Sequence, residues 1–322
     1  MNNLIDKANH LPVRAPVQTI SINPVSLTVP FKDHPLELRI TAPIDGNNLA
    51  IILLSHGAGP SLYLPSKDGY APLANFLAGQ GFAVIQPTHA NSKVAGVSHD
   101  QPGAPLFWRM RVQEMTHIID NLGQIERDVP LLAGRLDHDR IAAIGHSMGG
   151  QTVGMLLGAR LNDSKIDTDR DVNMFEPRIK AGVLLAPPGR GGDNLSEFAR
   201  ENFSELNPDY THLSTPNLVV VGDADINPFI TVKGPEWYRA AFEDGPGATH
   251  LLTLHGAQHG LGGIAGYDAK ETTDEDPDRL EAVLRMVASY LHSALNPDDT
   301  SWEQAAKSLA EQASDLGIIE AK

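Results

Sequence analysis

The sequence has no cysteine among its 322 residues. That excludes disulfides, thiolate metal sites and a cysteine nucleophile. No apolar run approaches the roughly 18 uninterrupted residues that a membrane-spanning helix needs. The N-terminal stretch MNNLIDKANHLPVRAP lacks both a basic n-region and a continuous apolar h-region, so it does not read as a secretory signal, and a cytoplasmic location is the expectation. Positive charge is scarce. Lys and Arg total 25 against 40 Asp and Glu, a formal net charge of −15. Such a surface repels phosphate backbones, which argues against nucleic acid as a partner, and the acidity reads as a solubility feature.

What is present suits a globular enzyme. Apolar residues make up 41% of the chain, enough at this length to bury a sizeable core without staples. Short apolar runs alternate with helical patterns. Residues 17–22 (VQTISI) and 36–41 (LELRIT) alternate apolar and polar side chains, as half-buried strands at an antiparallel edge would. Residues 50–55, 82–87, 140–145, 179–187 and 216–223 are near-continuously apolar, the signature of strands covered on both faces, and 250–256 closes the series. Helical spacing is expected over 69–80, 105–125, 148–161, 233–243, 278–295 and 301–313. Strands separated by helices imply βαβ units and a mainly parallel sheet of about eight strands with helices on both faces, an α/β fold. With no repeat and no low-complexity linker, one domain spanning 1–322 is the expectation, ending in an appended helix. The long connections 88–104, 161–178 and 188–215 should shape a binding site.

Residues 145–149, Gly-His-Ser-Met-Gly, fit G-x-S-x-G where a buried strand should turn into a helix. That context is the one a nucleophile elbow requires. The glycines permit a tight turn, and Ser147 would stand above the sheet at the positive end of the next helix. A glycine-rich turn with a serine cap is the plain alternative. The run 50–59 has the same layout, a strand ending in His56-Gly57-Ala58-Gly59. We assign the oxyanion donors to the N–H groups of Ala58 and Met148, while His56 should orient the loop.

A serine nucleophile needs a base and an orienting acid, in the chain order Ser, acid, His. Asp225 lies just past the strand at 216–223, with Asp223 as the alternative. His259 lies in a small-residue loop after the last parallel strand, with His255 as its runner-up. The expected chemistry is acyl transfer from an ester to Ser147 and then to water, with no cofactor and no metal.

Together these residues resemble the α/β-hydrolase superfamily. The likeness is closer to a bacterial branch related to chlorophyllases, dienelactone hydrolases and platelet-activating-factor acetylhydrolases. It is carried by SHGAGPS (55–61), YAPLANFLAGQGFAVIQPTHA (70–90), DRIAAIGHSMGGQT (139–152), VVVGDADINP (219–228) and GAQHGLGGIAGYDAKETTDE (256–275), and it covers roughly residues 30–295. The resemblance implies an α/β-hydrolase fold and a serine carboxylesterase acting on short to medium acyl or aromatic esters. Dienelactone hydrolases proper use a cysteine nucleophile, so that reaction is set aside. Chlorophyllases carry the same elbow with another residue at 148, so chlorophyll is not implied.

An acyltransferase, amidase or peptidase could use the same triad, and a binding protein on this scaffold would have a broken one. For the substrate pocket we expect Tyr63 with Leu64, Phe107, Trp108 and Phe198 with Phe203 and Leu195, the last three from a lid at 188–215. The acidic stretch 267–278 could hold a cation or could simply cap the next helix.

Overall fold

The computed structural model describes residues 4–98, 100–161 and 171–322. In chain order its strands are β1 (Thr19–Leu27), β2 (Leu36–Pro43), β3 (Leu49–Ser55), β4 (Ala83–Pro87), β5 (Leu136–His146), β6 (Arg160–Leu161), β7 (Val172–Asn173), β8 (Ile179–Leu185), β9 (Pro208–Asp209), β10 (Asn217–Gly222), β11 (Ala248–Leu254) and β12 (Gly317–Ala321). Among the described residues the eight α-helices are α1 (Ala71–Gly79), α2 (Trp108–Asp120), α3 (Leu122–Asp128), α4 (Met148–Leu156), α5 (Glu197–Asn202), α6 (Ala240–Asp244), α7 (Pro277–Leu295) and α8 (Ser301–Gln312).

Nine strands form one sheet in the order β1-β2-β4-β3-β5-β8-β10-β11-β12. The six from β4 to β11 run parallel. β1 and β2 are antiparallel at one edge, and β12 is antiparallel at the other. The apolar runs of the middle strands follow from this: side chains on both faces are covered. On β3, Ile51 and Leu53 join the core beneath α2, α3 and α4. Their neighbours Ala50, Ile52 and Leu54 join the core beneath α1, α7 and α8. Each fully buried Leu or Ile contributes about 1.5–3 kcal/mol by leaving water.

Three elements depart from the sequence reading. The helix expected over 105–125 breaks at Asn121, whose φ of −115° is not helical and whose side chain donates to the His117 carbonyl. α4 stops at Leu156 because Gly158 turns with φ +116°, and a Cβ there would lie 2.5 Å from the His212 carbonyl oxygen. The C-terminal residues continue past α8 into β12 and complete a ninth strand. Half of the connection 161–178, residues 162–170, falls outside the described residues. The part described, β6 and β7, forms a small antiparallel sheet with β9.

Candidate active site

Parallel strands deliver their carboxyl ends to one rim, and every candidate residue lies there. β5 ends at His146, and Ser147 follows with φ 55° and ψ −121°, a strained conformation for a side chain-bearing residue. α4 begins at the next residue. The glycines make this turn possible. A Cβ on Gly145 would sit 1.9 Å from the Gly149 carbonyl oxygen, and one on Gly149 would sit 2.1 Å from that of Ser55. Any side chain at either position would force the elbow apart.

Asp225 follows β10 and is 1% exposed. Its Oδ2 accepts a hydrogen bond from His259 Nδ1 at 2.7 Å. The Tyr238 phenol is close enough to Asp225 to feel its carboxylate. Burial, aided by that carboxylate, pushes the Tyr238 phenol well above its ordinary value and keeps it a donor. With Nδ1–H committed to the carboxylate, Nε2 of His259 is the ring nitrogen that carries the lone pair. The imidazole is flanked by the rings of Tyr238 at 5.5 Å and His146 at 4.8 Å, and its side chain is 33% exposed.

Asp223 and His255 form a second, exposed pair at 2.9 Å. Neither lines the cleft that Ser147 and His259 share.

Ala58 and Met148 border the same cleft. Among the described residues their N–H groups make no hydrogen bond. Buried His56 holds the Gly57–Ala58 peptide: its Nδ1–H donates to the Gly57 carbonyl at 2.7 Å, and its Nε2 accepts the His89 N–H at 3.0 Å. Burial, with Arg111 close by, holds His56 well below its ordinary pKa and therefore neutral. In a trans peptide N–H and C=O point oppositely, so gripping the Gly57 oxygen aims the Ala58 N–H away from His56. Glu271 steadies the same loop by accepting from the N–H and Oγ of Ser61, both at 2.9 Å.

A buried polar network under this loop was not foreseen from sequence. Arg111, on α2, is fully enclosed. It donates to Thr152 Oγ1 at 2.9 Å, Asn91 Oδ1 at 2.6 Å, Ser55 Oγ at 3.0 Å and the His56 carbonyl. Burial pushes its pKa down to about 9, so it stays charged at neutral pH. Ser55 Oγ also bonds His89 Nε2 at 2.9 Å, and His89 Nδ1 bonds Glu114 Oε2 at 2.7 Å. Lys32 bonds the other Glu114 oxygen at 2.7 Å. Arg111, Met115 and Ile118 stand at i, i+4 and i+7, so an arginine on the apolar stripe of α2 was the available signal.

The cleft encloses about 480 Å³. Its apolar wall includes Leu64, Leu106, Phe203, Leu206, Ile230 and Trp237, a composition suited to a hydrocarbon or aromatic group. Of the expected pocket residues, Leu64 and Phe203 are there. Tyr63, Phe107, Trp108 and Phe198 are not. Tyr63 faces a separate surface groove beside Tyr267, since it and Leu64 turn opposite ways. Phe107 has φ 50° and packs under Ala90 and Val97. Trp108 starts α2 pointing into the core, as Leu195 also does. Phe198 lies on the outer side of short α5, with its edge against Phe203.

The acidic stretch uses its carboxylates locally. Asp274 accepts from the N–H groups of Gln258 and Gly262, Asp276 caps α7, and Asp278 takes the N–H groups of Asp6, Lys7 and Ala8. Among the described residues no group of three or more His, Asp or Glu is placed to hold a metal ion, and no helix is long and apolar enough to cross a membrane.

A comparison with curated proteins finds no match. Comparison with protein families finds one that matches residues 51–319, which run from within β3 to within β12 and include every residue that lines the cleft. With a mostly parallel sheet, a strained serine elbow at its centre and this match over most of its length, the chain belongs to the alpha/beta hydrolase family.

Proposed function

We propose that this hydrolase is a serine carboxylesterase that cleaves short to medium acyl or aromatic esters, in the manner of the bacterial branch its motifs resemble. The observation that carries the reading is one cleft bordered by Ser147, His259 and the N–H groups of Ala58 and Met148, unpaired among the described residues, with the base already bonded to a buried carboxylate. His259 Nε2 takes the Ser147 proton as Oγ attacks the ester carbonyl. The N–H groups of Ala58 and Met148 hold the resulting oxyanion, each donor contributing roughly 3–4 kcal/mol in the transition state. Asp225 keeps the imidazole in the required tautomer and stabilises the imidazolium. His259 then protonates the leaving alcohol, and water activated by the same ring releases the acid. All of this uses the chain's own groups and no cofactor.

The acyl group is assigned to the wall formed by Phe203, Leu206 and Ile230. We read the 188–215 segment as a cap over that wall, and residues 1–322 as one catalytic domain.

A panel of p-nitrophenyl esters of rising chain length, with an anilide and an aromatic diester, tests the reading. Hydrolysis should be confined to the esters, and a fluorophosphonate probe should label Ser147. If folded Ser147→Ala or His259→Ala keeps near-wild-type turnover, the assignment fails. Anilide cleavage would turn the reading towards an amidase, and an added alcohol outcompeting water would turn it towards an acyltransferase.

A further inference from the structure

Three loops must keep their spacing for the proposed reaction to work: the oxyanion loop after β3, the elbow after β5 and the His259 loop after β11. A line of hydrogen bonds ties them together beneath the cleft. The Gly57 N–H donates to the Tyr70 hydroxyl oxygen at 3.0 Å. Tyr70 Oη lies 2.6 Å from His146 Nδ1, and His146 Nε2 lies 2.8 Å from the His259 carbonyl oxygen. The polarity of the line is fixed from its two ends. Gly57 can only donate and the His259 carbonyl can only accept. So the Tyr70 O–H points at Nδ1, and the proton of His146 is on Nε2.

Tyr70 is fully buried and left-handed, with φ 62°, and its own N–H bonds the Ala265 carbonyl at 3.2 Å on the His259 loop. Gly57 fits the arrangement closely, since a Cβ there would sit 3.0 Å from Tyr70 Oη and 3.3 Å from His146 Nδ1.

We propose that Tyr70 and His146 are positioning residues that hold the oxyanion loop and the His259 backbone in register across Ser147. The inference rests on the serine esterase reading. His146 stays neutral in this role, because burial and the neighbouring His259 push it down to about 3. It is therefore a fixed donor–acceptor spacer, although it adjoins the nucleophile.

The test uses the full chain carrying Tyr70→Phe, His146→Leu or His146→Gln, with p-nitrophenyl butyrate as substrate and an alkylboronic acid as transition-state analogue. Tyr70→Phe and His146→Leu should each lower kcat about 10- to 100-fold with KM held within about twofold, because misplaced groups cost transition-state binding. Affinity for the boronic acid should fall by a similar factor. His146→Gln, whose amide can accept from Tyr70 and donate to the His259 carbonyl, should recover most of the loss. Should His146→Leu not fold, Tyr70→Phe carries the test, as it removes a single oxygen. Folded Tyr70→Phe with wild-type kcat and boronic acid affinity, in a protein still labelled at Ser147, overturns this proposal alone. A loss confined to melting temperature, or to KM, also overturns it. A wild-type chain that a fluorophosphonate does not label overturns the esterase reading, and this inference with it.

Discussion

Two lines of serine, histidine and carboxylate run through this molecule. One is Ser147, His259 and Asp225, gathered at the cleft. The other is Ser55, His89 and Glu114, linked by bonds of 2.9 and 2.7 Å beneath the oxyanion loop. The second has the better-closed hydrogen bonding, yet it is unsuited to catalysis. Ser55, His89 and Glu114 are all fully buried, so no substrate reaches the hydroxyl. Burial, with Arg111 and Lys32 close by, holds His89 well below its ordinary pKa, so its ring cannot become the imidazolium that a general base must become. Both histidines bond a carboxylate, but only His259 reaches the cleft, and His89 alone has Arg111 and Lys32 pressed beside it. The order of the bonds is shared. Access to the cleft and the buried cations beside His89 separate the proposed reactive array from the enclosed one.

Activity should divide the two arrays most sharply. Ser147→Ala or His259→Ala is expected to cut kcat by about 10⁴-fold or more, whereas Ser55→Ala should cost less than about tenfold. Ester turnover per folded molecule measures both, and equal losses would erase the distinction.

Replacing the two acids should give opposite signatures. Asp225→Asn should lower kcat by about 10²- to 10⁴-fold with little change in stability. Glu114→Gln leaves Lys32 and His89 enclosed without their anion and should remove about 3–5 kcal/mol of unfolding free energy. Urea titration beside steady-state kinetics compares them.

The buried histidines should make the fold sensitive to acid. His146, His56 and His89 are held neutral, yet each ordinarily binds a proton near 6.5. Between pH 6.5 and about 3 the unfolded chain therefore carries more protons than the folded one, and stability falls as pH falls. Glu114 opposes this, since burial raises its pKa and the folded chain holds that proton to higher pH. One proton more on the unfolded chain lowers stability by about 1.36 kcal/mol for each step of one in pH, so His146 alone should cost about 3 kcal/mol between pH 6.5 and 4, with His56 and His89 adding to the loss and Glu114 subtracting from it. Urea unfolding at each pH measures it. His146→Gln should flatten the slope, and an unchanged slope would remove His146 as a cause.

A smaller effect is expected at Tyr238. Its Phe variant removes the hydroxyl beside the His259 ring and Asp225 while keeping the ring contact, and should lower kcat by about tenfold at constant fold. Smallest of all, Asp223→Asn or His255→Ala should change kcat by less than about twofold and stability by under about 1 kcal/mol, as exposed pairs do.

Much of this was legible in the sequence because local rules wrote it there. The uninterrupted apolar runs marked doubly covered strands, the glycines at 145 and 149 marked a turn with no room for a Cβ, and Asp225 and His259 stood just past strand ends. The pocket wall was less legible, since which of Tyr63 and Leu64 faces inward depends on an irregular turn. Arg111 and Glu114 were hidden for a different reason. Charges on an amphipathic helix read as its wet face, and only tertiary packing reveals that they lie on the dry one. β12 was missed because GIIEA is too short to stand out and gains its partner, β11, only on folding.

The 188–215 segment and the loop after Asp225 are sewn together. Ser196 donates from its N–H to the Ile230 carbonyl at 3.0 Å and from its Oγ to that of Phe229 at 2.6 Å, and Thr231 Oγ1 and the Val232 N–H reach the Asn194 carbonyl at 2.7 and 3.0 Å. The residues that wall the acyl cleft therefore hang from the same short stretch of chain as the candidate acid. On the proposed reading, substrate choice and catalytic geometry are not separable modules here. A change in the 226–232 stretch that reshapes the cleft also pulls on Asp225, so variation in chain-length preference can be absorbed with least damage on the α5 side of the seam.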